Sequence, residues 1–219
     1  MKKFLNGKSL MLLTILLFPS LLYVILSTGS HNFIKRPFFG PKTVAENSGD
    51  TLFYSVQDIV LENCDGQKID FTQFRGNLVL CHFVTNDDEL EEKRKASQLI
   101  ALNDRFKEKS DIKIVTFLLN DLNGTCKFNE EYSLISDSWQ AYNFKGEYEG
   151  LKNQLIFDLP EDITQNKWTN LFVLLDKKGR IRTYRDAIQY VEERALIDDL
   201  KILKAEEFIP KKKKKNESE

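Results

Sequence analysis

Sulfur and imidazole are scarce in this chain. Its 219 residues include only three cysteines, Cys64, Cys81 and Cys126, and two histidines, His31 and His82. The cysteines are too few and too far apart for a disulfide scaffold or a zinc site, because zinc ligands come in close pairs and no CxxC is present. Small disulfide-rich and zinc-binding classes are therefore excluded.

Charge of one sign is also lacking. The chain has 32 Lys and Arg against 33 Asp and Glu, a net charge of -1. Without an overall positive field, nucleic acid is not an expected partner. The one sizeable basic block is Lys211 to Lys215, which is expected to be a solvated tail.

The pairing of two cysteines stays open. Cys64 and Cys126 both lie in turn-like surroundings, Asn-Cys-Asp-Gly and Gly-Thr-Cys-Lys. They could bridge in an oxidising compartment, but sequence separation does not give the distance that a disulfide requires. Cys81 lies in an apolar segment and is expected to be a small buried side chain, because free cysteine is among the most buried residue types.

An uncharged, mostly apolar run extends from Leu10 to Leu26, after three lysines near the N-terminus. A helix that crosses a bilayer needs about 20 residues, with a floor near 17. The run predicts a single-pass transmembrane anchor over 9–27, with residues 1–8 in the cytoplasm. A cleaved signal peptide is the alternative, because small residues follow at 27–29. The expected location is a bacterial inner membrane, with the soluble domain in the periplasm.

Composition divides the rest of the chain into three parts. Residues 28–50 have the Gly and Pro content of a linker, residues 51–206 alternate predicted strands and helices, and residues 207–219 form a Lys-rich tail that is expected to be disordered. One globular domain is therefore expected.

The first half of the domain predicts a strand, a helix and a second strand. A hairpin around Asp65-Gly66 comes first, because Asp-Gly supplies the positive φ angles of tight turns. Leu78 to Val84 is a near-continuous apolar strand, the pattern of a strand covered on both faces. A helix is predicted from an N-cap at Asn86 or Asp87 to Phe106, with Leu90, Ala96, Leu99, Ile100, Leu102 and Phe106 inward. Ile112 to Leu119 is the second buried strand.

The second half predicts a helix around Glu130 to Tyr142, a short strand near Leu155 to Phe157, a hairpin at Lys178-Gly179, and a helix from Ala187 to Lys204. The order βαβ and then ββα is the thioredoxin plan. The predicted fold class is therefore α/β and thioredoxin-like, a central mixed sheet flanked by helices, with the N-terminal transmembrane helix added.

Several segments, in this order, resemble the Sco/SenC family of membrane-anchored, thioredoxin-fold proteins that assist copper-centre assembly in cytochrome c oxidase. The resemblance covers roughly Phe38 to Lys204. The matching segments are Phe38-Phe39-Gly40-Pro41, Gly49-Asp50-Thr51, Asp65-Gly66, Phe74-Arg75-Gly76-Asn77-Leu78-Val79-Leu80, Phe83-Val84-Thr85 and Leu174-Leu175-Asp176-Lys177-Lys178-Gly179-Arg180-Ile181-Arg182.

The copper ligands of that family are two cysteines spaced CxxxC and one histidine. By position they fall on Asp87, Glu91 and Trp168 in this chain. Carboxylates are hard ligands and an indole N-H has no lone pair for a metal, so copper binding of the family kind is not expected. Neither Cys81 nor His82 replaces the ligands, because adjacent strand residues point to opposite faces.

The resemblance implies a non-catalytic binding or assembly factor of the respiratory machinery, a pseudoenzyme without metal or cofactor. An envelope or respiratory-chain protein is the expected partner, and Trp168, Asp87, Glu91 and His82 are the candidate binding residues. The alternative is a thiol-disulfide oxidoreductase or peroxidase that uses Cys81 or a Cys64/Cys126 pair. Peroxidases of this fold carry a reactive cysteine where this chain has Asp87, which disfavours that alternative.

Overall fold

A computed structural model describes residues 7–28, 35–45, 50–85, 87–119, 125–132, 138–163 and 167–208. The chain divides into two units, Met1–Ile34 and Lys35–Glu219. The second unit begins inside the segment that was predicted as linker. The lysine block at 211–215 lies outside the described residues.

The first unit contains helix α1, Gly7–Thr28, with Pro19 inside it and exposed side chains from residue 11 to residue 24. Among the helices that the structure describes, none is both long and apolar enough to cross a membrane. The transmembrane anchor predicted over 9–27 is therefore not supported.

Helices and strands alternate along the second unit. In chain order they are β1 Lys42–Val44, β2 Thr51–Phe53, β3 Val60–Glu62, β4 Lys68–Asp70, β5 Leu78–Val84, α2 Glu89–Phe106, β6 Ile112–Leu118, α3 Thr125–Glu131, β7 Trp139–Phe144, α4 Tyr148–Leu155, β8 Leu171–Leu175, β9 Ile181–Asp186 and α5 Val191–Phe208. Single turns of 3₁₀ helix cover Phe71–Phe74 and Trp168–Asn170.

One mixed sheet organises the domain. Its strand order is β4-β3-β7-β6-β5-β8-β9, and β1 pairs with β2 in a separate ribbon. β5, β6 and β7 run parallel, while β8 is antiparallel to β5 and β3 is antiparallel to β7. The predicted strand, helix, strand order and the mixed α/β sheet are thus confirmed.

The two faces of β5 belong to different cores, and every residue of this strand is buried. Val79, Cys81 and Phe83 point into a cluster with residues of β6, β8 and α4, whereas Leu78 and Leu80 pack against α2 and α5. Alternation along a strand places Cys81 and His82 on opposite faces. The predicted burial of Cys81 is confirmed.

A disulfide joins Cys64, in the turn between β3 and β4, to Cys126 near the start of α3. Their Cα atoms are 4.9 Å apart, within the usual range for a bridge. The pairing left open by the sequence is therefore present, and it ties the hairpin at the sheet edge to a helix 62 positions further along.

Residues 35–39 are held against β9 and α5 by buried charges. The guanidinium of Arg182 donates to the carbonyls of Arg36 and Pro37 and to both carboxylate oxygens of Glu206, and it lies 4.1 Å from the Phe38 ring centroid. Asp199 is fully buried, pairs with Arg36, and accepts from Arg185 Nε at 2.8 Å.

The structure corrects several element predictions. The helix predicted around 130–142 is wrong, because 139–144 is strand β7, in which aromatic and apolar side chains fill the sheet faces. Leu155 is the last residue of helix α4, and residues 156–157 follow it without forming the predicted strand. Leu90 and Ile100, predicted to face inward, are 60% and 44% exposed. The C-terminal helix begins at Val191 instead of Ala187.

The Asp199→Ala variant should lose about 3–5 kcal/mol of unfolding free energy, because it leaves both Arg36 of the 35–39 segment and Arg185 of β9 without the buried carboxylate that they share. Asp198→Ala is the matched control, since Asp198 is exposed and pairs only with Lys201 in the described chain; it should change stability by less than about 1 kcal/mol. Urea denaturation of both variants measures the difference. Equal effects would show that the 35–39 segment does not depend on Asp199.

Candidate functional site

The candidate site lies where the carboxyl end of β5, the start of α2 and the 3₁₀ turn before β8 meet. Antiparallel pairing of Val79 with Leu175 and of Cys81 with Val173 brings the end of β5 beside the start of β8. We define the mouth as Asp87, Glu91, Lys167, Trp168 and Asn170.

Asp88 begins helix α2. Its carboxylate accepts from the backbone N-H groups of Leu90 at 2.9 Å and Glu91 at 3.1 Å, and it is thus the N-cap. The predicted N-cap at Asn86 or Asp87 is wrong for Asp87, and Asn86 lies outside the described residues. Capping by Asp88 leaves the side chain of Asp87 available to the mouth.

Asp87, Glu91 and Trp168, the positions that the Sco/SenC resemblance aligns with copper ligands, are each engaged by other residues of the chain. Asp87 forms an ion pair with Lys167, and hydrogen bonding from Lys167 lowers the pKa of Asp87 below its ordinary value. Glu91 accepts a hydrogen bond of 3.0 Å from the Asn170 amide. The half-buried Trp168 packs edge-on against the ring of Phe83, 5.1 Å between centroids.

Beneath the mouth lies the ammonium of Lys95, which is 0% exposed. It donates to the carbonyl of Phe83 at 2.7 Å, to Glu92 Oε1 at 2.8 Å and to the carbonyl of Thr169 at 3.3 Å. An ammonium has three donors, and all three are thus used. Burial lowers the pKa of Lys95, and the Glu92 carboxylate opposes that change. The contacts join β5, α2 and the 3₁₀ turn.

The importance of Lys95 was missed from the sequence, although a signal was present. Lys95, Leu99 and Leu102 are spaced by four and three residues, the spacing that places side chains on one helix face. A lysine in line with buried leucines indicates either a side chain that reaches outward along the helix or a buried charge with partners, and the sequence does not distinguish these.

His82 lies below the surface of the mouth. Its Nδ1 is 3.1 Å from the hydroxyl of Thr116, which also accepts from the indole N-H of Trp139. Within the described ranges its Nε2 has no hydrogen-bond partner. Burial, and secondly the charge of Lys95, lower the pKa of His82 well below its ordinary value. His82 is therefore a neutral core residue that a protein partner cannot contact directly.

The thiol of Cys81 is also inaccessible and unreactive. Its side chain is fully buried, and burial raises the pKa of the thiol far above its ordinary value. The thiolate is the reactive form of cysteine, so Cys81 is not poised as a nucleophile. In the described part of the chain, no three His, Cys, Asp or Glu side chains are grouped so as to hold a metal ion.

No family model matches the chain, and no curated protein matches it. Solved structures do. BsSco, described as a Sco-family cytochrome c oxidase assembly protein with a disulfide switch, is 21% identical, covers 68% of this chain and 93% of its own, and has a TM-score of 0.55. A SCO1/SenC family lipoprotein from Bacillus anthracis str. Ames is 19% identical, covers 69% of this chain and 95% of its own, and has a TM-score of 0.56.

A Bacteroides thetaiotaomicron protein described as a candidate protein disulfide isomerase is 15% identical, covers 77% of this chain and 95% of its own, and has a TM-score of 0.51. At these identities the likeness establishes the fold alone. Together with the sheet topology it shows that the second unit is a thioredoxin-like domain. This confirms the predicted α/β class of the domain.

The Lys95→Met variant should lose about 3–5 kcal/mol of unfolding free energy, because it leaves the Glu92 carboxylate without its charged partner. Lys93→Met is the control two residues away, since Lys93 is exposed and pairs with Glu89 on the surface; less than about 1 kcal/mol is expected. Equilibrium denaturation measures both. If the two variants are equally stable, Lys95 does not hold the mouth together.

Stability should also depend on the protonation of His82. The pKa of His82 in the folded state lies below its unfolded value of about 6.5. As the pH falls through 6.5, the unfolded state therefore binds more protons than the folded state, and the protein becomes less stable. As the pH falls from 7.5 to 5.5, this histidine should remove on the order of 1 kcal/mol of stability. Denaturation curves of the wild type and His82→Gln at both pH values test this, because the variant should lack that share of the pH dependence.

Proposed function

We propose that this chain is a Sco-like thioredoxin-fold protein that binds a partner at the mouth without copper or redox chemistry there. The observation that carries the proposal is the buried ammonium of Lys95. It already supplies a fixed positive charge to the oxygen atoms under the mouth, and a second cation placed beside it would be repelled.

The surface side chains of the mouth support a binding role. Asp87 and Lys167 are about half exposed and form a neutral pair, and Leu90 on the adjoining turn of α2 is largely exposed. The half-buried Trp168, which follows Lys167 in the chain, combines a large apolar surface with an indole donor, a combination enriched at protein interfaces. The proposed docking surface is therefore Leu90, Trp168 and the Asp87–Lys167 pair.

The partner that we propose is cytochrome oxidase itself, bound through one of its subunits during assembly. Support comes from the likeness to BsSco, which is described as a member of a family of cytochrome c oxidase assembly proteins. Because one fold hosts many functions, the binding role has to be argued from the residues of the mouth and not from the fold. We further propose that the domain works in an oxidising compartment such as the periplasm, where a surface disulfide persists.

An oxidoreductase or peroxidase that works through Cys81 is the weaker candidate. The burial of the thiol and its raised pKa both oppose attack on a substrate. Cys64 lies in the turn after β3 and Cys126 lies in α3, and neither residue belongs to the mouth, so this pair does not supply a redox centre there.

Affinity capture from solubilised membranes with the full chain as bait should retain cytochrome oxidase subunits. Trp168→Ala and Leu90→Asp should each reduce the retained amount about tenfold or more, because truncating or charging a central apolar contact removes most of its binding energy. Ile100→Asp is the matched control, being exposed on the same helix outside the mouth. Equal retention by all variants, or no oxidase subunit at all, contradicts the proposal.

Titration of the full chain with Cu(I) should give no stoichiometric complex of submicromolar affinity, because no thiol or imidazole reaches the mouth among the described residues. Competition against a chelator of known affinity measures this. A tight one-to-one complex that disappears in Cys81→Ala would instead establish a copper carrier.

A further inference from the structure

The disulfide between Cys64 and Cys126 lies on the surface of the domain. Both residues are exposed, whereas the third cysteine, Cys81, is fully buried. Thiol-disulfide exchange requires in-line access of a thiolate to a sulfur atom, and exposed disulfides are the ones that permit it. The chain thus contains one accessible disulfide and one thiol that cannot rearrange with it.

The helix that carries Cys126 covers the sheet near the mouth. Phe128 of α3 packs against a small cluster made by Val84, Leu118 and Ala141. The side chain of Asn129 accepts a hydrogen bond of 3.1 Å from the backbone N-H of Ala141 on β7. These contacts place α3 over the ends of β5 and β6.

The far end of α3 approaches the start of α2. The ring of Tyr132, which follows α3 directly, lies 6.2 Å from that of Trp139. Burial, followed by the nearby carboxylates of Glu131 and Glu92, raises the pKa of Tyr132. Glu92 is the carboxylate that binds Lys95 beneath the mouth. The helix α3 and Tyr132 therefore extend from the disulfide to the surroundings of Glu92.

A seven-residue helix does not hold its shape alone, because nucleation is unfavourable and few hydrogen bonds repay it. In the described part of α3 and Tyr132, the helix is attached by the disulfide, the buried side chain of Thr125, the Asn129 hydrogen bond and two partly buried rings. The disulfide is the one covalent attachment, and it is also the one that a reagent from solution can reach.

We propose that the Cys64–Cys126 disulfide is an exchange site for a dithiol protein of the same compartment, and that its reduction releases α3 from Val84, Leu118 and Ala141 beside the mouth. The site differs from the mouth in both its residues and its chemistry. It does not require that the proposed partner bind.

The exchange balances without any further reactant. A thiolate of the dithiol protein attacks one sulfur of the pair, forms a mixed disulfide and displaces the other cysteine as a thiolate, which takes up a proton. The second thiol of the dithiol protein loses its proton and attacks the sulfur atom that the dithiol protein contributed to the mixed disulfide. This releases the second cysteine of the pair as a thiolate, which also takes up a proton. The dithiol is oxidised to a disulfide, and Cys64 and Cys126 gain two electrons and two protons in total.

The test treats the oxidised full chain with a reduced thioredoxin-type protein at neutral pH without denaturant. Alkylation followed by mass spectrometry should show two new thiols, at Cys64 and Cys126, with Cys81 unlabelled. Hydrogen exchange on the reduced protein should become at least tenfold faster in residues 125–132, with β5 and β8 still protected.

The Cys64→Ser/Cys126→Ser double variant should reproduce the exchange pattern of the reduced protein, and Cys81→Ala should keep the pattern of the oxidised one. If the double variant does not fold, the reduced wild-type protein supplies the comparison. A disulfide that the dithiol protein reduces only after denaturant is added overturns the proposal. So does reduction that leaves exchange in 125–132 unchanged.

Discussion

The ammonium of Lys95 joins the three segments that form the mouth. A buried charge is tolerated in a protein only where partners replace its hydration, and here two backbone carbonyls and the Glu92 carboxylate do so. The contacts come from the end of β5, from α2 and from the turn at Thr169. The positions of Asp87, Glu91 and Trp168 all depend on those segments, so the geometry of the mouth follows from this one charge.

Pairing within the chain determines what the mouth can do. The carboxylates of Asp87 and Glu91 are bound to Lys167 and Asn170, and Trp168 rests on Phe83. None of these groups offers a soft ligand or an activated nucleophile, whereas an aromatic ring beside a neutral ion pair suits contact with another protein. The likeness to solved Sco-family structures therefore concerns the fold alone.

Thiol chemistry is separated from the mouth in the same way. Cys81 lies in the core on one face of β5, and His82 lies on the other face against Phe172. The exposed cysteines are Cys64, in the β3–β4 turn, and Cys126, in α3, which together form the disulfide. The helix α3 connects the two regions physically, since it begins at the disulfide and covers Val84, the last residue of β5.

Local pattern was sufficient for the strands Leu78–Val84 and Ile112–Leu118, the helix between them, and the opposite facing of Cys81 and His82, because periodicity and strand alternation are properties of neighbouring residues. The sequence by itself also determined that the positions aligned with copper ligands by the Sco/SenC resemblance, Asp87, Glu91 and Trp168, carry oxygen and indole groups. Only the tertiary structure decided that Trp139–Phe144 is a strand, that Cys64 meets Cys126, and that Lys95 lies under the mouth. Each of these depends on groups far apart in the chain. Strand β7 forms because β6 and β3 lie beside it to pair with its backbone, and a buried charge or a disulfide is stable only where the fold brings its partner within bonding distance.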